Sequence, residues 1–193
     1  MPIPIVPKAA LDIRPLGRPR MNKYLNTAET EILIALMRSV GPKIVIEIGC
    51  NVGITARAIL ETIPDIERYI GIDVPWDHKP TLDCQRTEVP YTAGNYATGD
   101  DRFWLMVLNS GSLHLSASDL EPCDAVFIDG DHSATAVRHD SELARALVRA
   151  GGLIVWHDFG NASVEVTDVL ENLYDEGWPI QAVEGSWMAF MRV

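Results

Sequence analysis

The sequence is short of cysteine, of basic residues and of long apolar runs, and each shortage closes off a class of protein. Its three cysteines, Cys50, Cys84 and Cys123, are too few and too irregularly spaced for a disulfide framework or a zinc knuckle. A reducing compartment, the cytoplasm, is the location expected from that usage. Only 16 Lys and Arg stand against 27 Asp and Glu, a formal net charge of −11. Nucleic acid and anionic membrane are therefore not expected as partners, because phosphate contacts need clustered basic side chains. No stretch is long and apolar enough to cross a bilayer. Pro2, Pro4 and Pro7 interrupt the apolar N-terminus, which does not read as a signal peptide. Also missing is the pattern G-x-G-x-x-G. After Gly49 come Asn51 and Gly53, a spacing that argues against a dinucleotide site.

What is present suits one globular domain. The chain has 193 residues, 47% of them apolar, enough to bury a core without covalent staples. Lys8, Arg14, Arg18, Arg20 and Lys23 make the proline-rich segment 1–25 locally basic. It reads as an N-terminal arm, either solvated or acting as a lid that attracts an anionic substrate. Residues 26–193 form the domain proper.

Asn26 followed by Glu29 predicts a capped helix start, and Gly41-Pro42 predicts its stop. Strands are expected at 43–48, 69–73, 103–108, 124–128 and 153–156, all short and rich in apolar or β-branched residues. Helices are expected at 54–63, 133–150 and 164–176. The tail, 180–183 and 188–193, reads as a hairpin. Residues 74–101 hold Pro75, Pro80, Pro90, Gly94 and Gly99 and read as a long irregular insertion, the kind that carries function in a compact domain. Strands alternating with helices imply right-handed βαβ units, hence an α/β, doubly wound, mostly parallel sheet with an antiparallel hairpin at its end. Trp104, Trp156, Trp178 and Trp187 are expected to pack against it.

The strongest chemical signal is Val45-Ile46-Glu47-Ile48-Gly49-Cys50-Asn51-Val52-Gly53: a strand ending in an acid and a glycine, then a small loop opening a helix. Ligands in such folds sit beyond the carboxyl ends of the strands. Gly49 permits the turn and a close approach to the backbone. Glu47 argues against a pyrophosphate there and suits a cationic amino or sulfonium group. A plain structural turn is the alternative. Asp73 ends the next strand, where an acid can accept hydrogen bonds from both ribose hydroxyls; a helix cap is the other use of that position.

These blocks, followed by Val126-Phe127-Ile128-Asp129-Gly130-Asp131-His132-Ser133 and Gly151-Gly152-Leu153-Ile154-Val155-Trp156-His157-Asp158, resemble the class I S-adenosylmethionine-dependent methyltransferases. The resemblance runs from about residue 26 to 193. It is greatest to the small-molecule O-methyltransferase branch with F-I-D-G-D-H after strand four and G-G-x-I-x-x-H-D after strand five. It implies a Rossmann-like sheet of seven strands and S-adenosylmethionine as methyl donor. It implies that Glu47, Gly49, Cys50, Asn51 and Gly53 surround the methionine part of that cofactor, that Asp73 holds the ribose, that Ser112 lies beside the adenine, and that Asp129 faces the methyl-transfer centre. Relatives often carry an acid where this chain has Gly111. Some relatives bind magnesium, which here implicates Asp129 and Asp158, with Phe159 standing where a further ligand is often found.

The residues themselves point to the same place. Asp129, His132, His157 and Asp158 cluster at two strand ends where a plain core would exclude them. Methyl transfer to a hydroxyl of a small-molecule acceptor needs a base or a metal, and His132, Asp129 and His157 are the candidate catalytic groups, with His132 as the preferred base. A divalent cation such as Mg²⁺ on Asp129 and Asp158 is the other route. Alternatively, Asp131 or Ser133 caps the helix and His132 is structural. Two rival functions stay open: a nicotinamide-dependent oxidoreductase, and a non-catalytic S-adenosylmethionine-binding module. The sequence leaves a homo-oligomer open as well.

Overall fold

Successive residues along the central segments are buried, Val45 to Ile48, Ala125 to Ile128 and Leu153 to Trp156 alike. Only strands covered on both faces bury every side chain in turn, which is the signature of a parallel sheet flanked by helices. The computed structural model describes residues 2–17 and 25–193. Arg18, Arg20 and Lys23 of the basic arm lie outside the described residues. The elements run β1 (Ile5–Val6), α1 (Thr27–Arg38), β2 (Ile44–Ile48), α2 (Ile54–Thr62), β3 (Arg68–Asp73), β4 (Phe103–Val107), β5 (Cys123–Ile128), α3 (Ala134–Leu147), β6 (Val148–Trp156), α4 (Val166–Asp175), β7 (Gln181–Val183) and β8 (Ala189–Arg192).

The sheet order is β1-β7-β8-β6-β5-β2-β3-β4. Strands β4, β3, β2, β5 and β6 are mutually parallel, and β8 runs antiparallel to β6. The order reverses between β2 and β5: the chain leaves β2 toward β3 and β4, then returns to build β5 and β6 on the other side. A crevice opens at such a switch point, beyond the carboxyl ends of the strands. One face of the sheet (Ile46, Val126, Ile154 and Trp156) packs with Val137, Leu143, Leu170 and Leu173 of α3 and α4. The other (Val45, Phe127, Leu153 and Val155) packs with Leu33, Met37, Ile59 and Leu60 of α1 and α2.

The predicted α/β sheet is present with eight strands rather than seven. The extra one is β1, whose residues Ile5 and Val6 pair in parallel with Ala182 and Val183. Pro4 and Val6 supply carbonyls that accept from Ala182 N and Glu184 N, at 2.8 and 2.9 Å. The third predicted helix ends three residues early, at Leu147, and β6 begins at Val148 instead of Leu153. Gly151 takes φ +83, and a Cβ on Gly152 would lie 2.5 Å from the Asp124 carbonyl, so the chain bends there within the strand. Residues 74–101 contain no strand, only a short 3-10 turn at Asp83–Thr87. Trp156 and Trp178 pack the core as expected, but Trp104 and Trp187 are about half exposed, at 55% and 45%. Trp104 sits on the edge strand under the Arg68 guanidinium, 4.5 Å from the ring centroid.

Candidate active site

A cavity of about 530 Å³ occupies the switch-point crevice. Its walls come from the loops after β2, β3, β4, β5 and β6 together with the insertion, so most of the residues singled out in the sequence converge on it.

At the β2–β3 side, Gly49 has φ +87, a conformation that L side chains rarely adopt; a Cβ there would meet the Asp129 carbonyl at 2.1 Å. The glycine is thus required by the close packing of two strand ends. Asn51 is also left-handed, at φ 48, and its own side chain holds the turn, accepting from Val52 N at 2.8 Å and donating to the Glu88 carbonyl at 2.6 Å. The turned backbone presents Asn51 N to Asp73 Oδ2 at 2.5 Å, while Val74 N donates to Oδ1 at 2.7 Å. Burial nonetheless pushes the Asp73 carboxyl up to about 6. Glu47 lies beneath the cavity wall rather than on it, 1% exposed, accepting from the Tyr69 hydroxyl at 3.0 Å. Burial first, then the nearby Asp129 and Asp73 carboxylates, raise it well above its ordinary value. Gly53, too, is off the wall; its φ of +83 and its packing on the Gly94 carbonyl make it a structural hinge into α2. Cys50, Asn51 and Ser112 line the cavity.

At the β5–β6 side the carboxylates behave in the opposite way. His157 Nδ1 is 3.2 Å from both Asp129 Oδ1 and Asp158 Oδ2, and its Nε2 is 3.5 Å from Glu29 Oε2. Burial opposes a charged imidazole, but the three carboxylates outweigh it and raise His157 to about 12. Burial likewise works to raise Asp129, yet His157 and His132 bring it down to about 2. Asp158 and Glu29 are lowered in the same way, by histidine contacts that overcome burial. His132 Nε2 lies 3.5 Å from Asp129 and 3.5 Å from Asp158, buried and without a hydrogen-bond partner. Burial lowers its affinity for a proton, the two acids restore more than that, and the net shift is upward. Asp129, His132 and Asp158 offer one ligand atom each, all within 4.8 Å of one another.

Asp131 is a cap and clamp, accepting from Ser133 N and from the Thr81 hydroxyl, each at 2.8 Å. The Ser133 side chain makes no capping bond; Glu165 receives Ala134 N instead, at 2.6 Å. Four residues of the site escape the sequence reading. Asn26 caps the helix as predicted, its Oδ1 accepting from Glu29 N at 3.0 Å, while the Glu29 carboxylate accepts from Asn26 Nδ2 at 2.6 Å and extends on to His157 and to Trp187 N. Gln85 bridges the β5 loop, accepting from His132 N at 2.9 Å and donating to the Gly130 carbonyl at 3.0 Å. Asn161 donates to Asp158 Oδ1 at 2.6 Å. Trp187 forms part of the cavity wall over His157, with ring centroids 6.3 Å apart. Of these positions the sequence marks Glu29 through the capping box and Trp187 as a packing residue, and neither signal points to the site.

A family model described as a methyltransferase domain matches residues 46–159. No curated protein matches the chain. Solved structures share the fold at low identity. The SAH-bound methyltransferase PaMTH1 of Podospora anserina has a TM-score of 0.61 at 16% identity, covering 86% of this chain and 78% of its own. An O-methyltransferase from Bacillus cereus in complex with SAH gives 0.59 at 16%, over 88% and 82%. TomG of Streptomyces achromogenes, an O-methyltransferase involved in tomaymycin synthesis solved with SAM, gives 0.59 at 16%, over 88% and 81%.

Proposed function

The chain belongs to the methyltransferase domain family, and on that premise we propose that it transfers the methyl group of S-adenosylmethionine to a hydroxyl oxygen of a small molecule. Membership removes the nicotinamide-dependent alternative. Residues 26–193 are the catalytic domain in this reading, with 1–25 an arm that contributes β1. Two structural neighbours are O-methyltransferases solved with SAM or SAH, which supports both the donor and the attacked element.

The donor's nucleoside rests on Asp73, whose two oxygens each keep a lone pair beyond the backbone bonds already made. Its methionine part lies along Gly49, Cys50 and Asn51, with Glu47 behind them as a buried source of negative potential for the cationic end. Bound there, S-adenosylmethionine supplies an electrophilic methyl carbon on a sulfonium. Ser112 sits at the base end. The chain's task is to hold the two reactants in line and to take one proton, and alignment alone supplies a large share of the rate.

The observation that carries the reading is His132 Nε2, a buried nitrogen with no hydrogen-bond partner, 3.5 Å from both Asp129 and Asp158 on a residue that lines the cavity. As the acceptor oxygen bonds to the methyl carbon and the sulfur–carbon bond breaks, the hydroxyl proton passes to that nitrogen. Asp129 and Asp158 then stabilise the imidazolium that forms. His157, held cationic by three carboxylates, fixes the orientation of both acids rather than acting as a base.

A second reading is favoured by one observation, the donor set Asp129, His132 and Asp158. Mixed carboxylate and imidazole ligands fit a divalent cation. Such an ion would make the acceptor hydroxyl more acidic, and His132 would be a ligand instead of a base. Exhaustive chelation separates the two: S-adenosylhomocysteine formation with a panel of hydroxylated small molecules should persist with His132 as base, whereas loss restored by magnesium supports the metal. Donor binding without product from any acceptor would support a non-catalytic module.

A further inference from the structure

Gln85 stands in the short 3-10 turn of the insertion, 5% exposed, and reaches the loop that joins β5 to α3. Its two bonds to that loop, from His132 N to Oε1 and from Nε2 to the Gly130 carbonyl, use both ends of the side chain. A backbone N–H only donates and a carbonyl only accepts, so the orientation of the side-chain amide is fixed. A glutamate could accept from His132 N but not donate to Gly130, and an asparagine is one methylene shorter.

The ends of the loop are held from other directions. Asp129 N donates to the Ile48 carbonyl at 2.8 Å, Ser133 N to Asp131 Oδ1 at 2.8 Å, and the His132 carbonyl accepts from Glu165 N at 3.2 Å. Between them, the Gly130 carbonyl and the His132 amide both find their partner in Gln85. The tip of the His132 ring has no such anchor: Nε2 makes no hydrogen bond among the described residues. Its placement therefore depends on the backbone and the packing beneath it. The turn that carries Gln85 is itself tied at both ends. The Thr81 hydroxyl donates to Asp131 Oδ2 at 2.8 Å, and Asn51 Nδ2 donates to the Glu88 carbonyl at 2.6 Å. It thus spans from the β2 turn to the β5 loop.

Granted the methyl-transfer reading above, we propose that Gln85 is a positioning residue for that reaction. Its amide clamps the backbone from Gly130 to His132 and so holds the His132 ring where it can take the acceptor's proton. The insertion then belongs to the reacting apparatus as well as to the wall of the acceptor pocket. The clamp serves equally if His132 binds a divalent cation, since a ligand must also be held in place. Displacing a reacting group by about 1 Å costs on the order of 10²-fold in rate. Loss of the clamp invites such a shift, because the buried His132 amide is left without a partner.

Gln85→Met keeps the length of the side chain and removes both bonds. Gln85→Asn keeps the amide and withdraws it from the loop. Each should lower S-adenosylhomocysteine formation from hydroxylated small molecules by roughly 10–10²-fold. Calorimetric affinity for S-adenosylhomocysteine should stay within a few-fold of wild type. In a His132→Ala background either substitution should cost little more, because Gln85 acts through that ring. A further loss as large as in the wild-type background overturns the proposal, since it marks a residue that serves the fold alone. A loss confined to donor affinity overturns it as well. Hydrogen exchange gives an arm that needs no acceptor: the amides of 129–133 should lose protection in Gln85→Asn while those of β2 keep theirs. Unchanged protection of 129–133 overturns the clamp. If Gln85→Met does not fold, Gln85→Asn decides. A wild-type protein that forms no S-adenosylhomocysteine with any acceptor overturns the methyl-transfer reading itself, a result distinct from turnover that Gln85 does not affect.

Discussion

The two sides of the crevice treat their carboxylates in opposite ways. On the β2–β3 side, Glu47 and Asp73 are buried, neither forms an ion pair among the described residues, and burial shifts both upward. On the β5–β6 side, Asp129, Asp158 and Glu29 are also buried, yet His157 shifts all three downward, with His132 adding to the effect on the two aspartates and the Trp187 N–H to that on Glu29. Burial is common to both sides, so it is not what separates them; a protein-borne positive charge is. On the β5–β6 side the acids are balanced by histidines of the chain itself. In the proposed function the cationic donor supplies the corresponding charge on the β2–β3 side.

The variant expected to have the largest effect removes the free nitrogen of the β5–β6 side. His132→Ala should lower turnover about 10²–10⁴-fold while leaving S-adenosylhomocysteine affinity within a few-fold of wild type. Only neutral imidazole accepts a proton, and His132 is shifted upward from 6.5. The rising limb of the rate–pH profile should therefore lie above the ordinary histidine range and vanish in the variant. Steady-state rates and calorimetry on one preparation check this, and an unaltered profile would remove His132 as base.

His157→Gln tests the other histidine. It strands Asp129 and Asp158 as buried neighbouring anions, and unpairing a buried charge costs roughly 3–5 kcal/mol. The loss should depend on pH. The depressed Asp129 contributes stability above its ordinary value of 3.8, lost as pH falls through about 2. The raised His157 contributes fully below 6.5, and that contribution disappears as pH climbs toward about 12. The gap between variant and wild type should be widest between pH 4 and 6.5, measured by chemical denaturation. A gap independent of pH would mean that packing, not charge, is what His157 supplies.

On the β2–β3 side the expected effect is smaller and confined to binding. Asp73→Ala should weaken S-adenosylmethionine affinity by roughly 1.5–3 kcal/mol for each lost bond to the charged acceptor, with the fold kept. Unchanged affinity in a folded variant would take Asp73 out of the ribose site.

The contrast also explains what the sequence could reveal. Strands β2, β3 and β5 are legible because doubly buried strands write short runs dominated by apolar residues; Asp73 ends one of them, and Gly49, Asp129 and His132 follow the others at fixed offsets. The family likeness rests on those same offsets. Strand β1 was not legible: two residues among prolines carry no period, and its pairing partners lie about 177 positions away. Gln85 sits in an irregular insertion, 47 residues from the His132 amide that it receives. Glu29 was legible only in part, because a capping acid and a site acid look alike until the helix start is placed against β6.

The most direct test of the account is a crystal structure of the complex with S-adenosylhomocysteine. The account predicts the ribose hydroxyls on Asp73, the amino acid portion along Gly49 to Asn51, and the sulfur directed toward Asp129 and His132. A ligand bound outside the crevice, or lying in it with the ribose away from Asp73 and the sulfur away from His132, would contradict it.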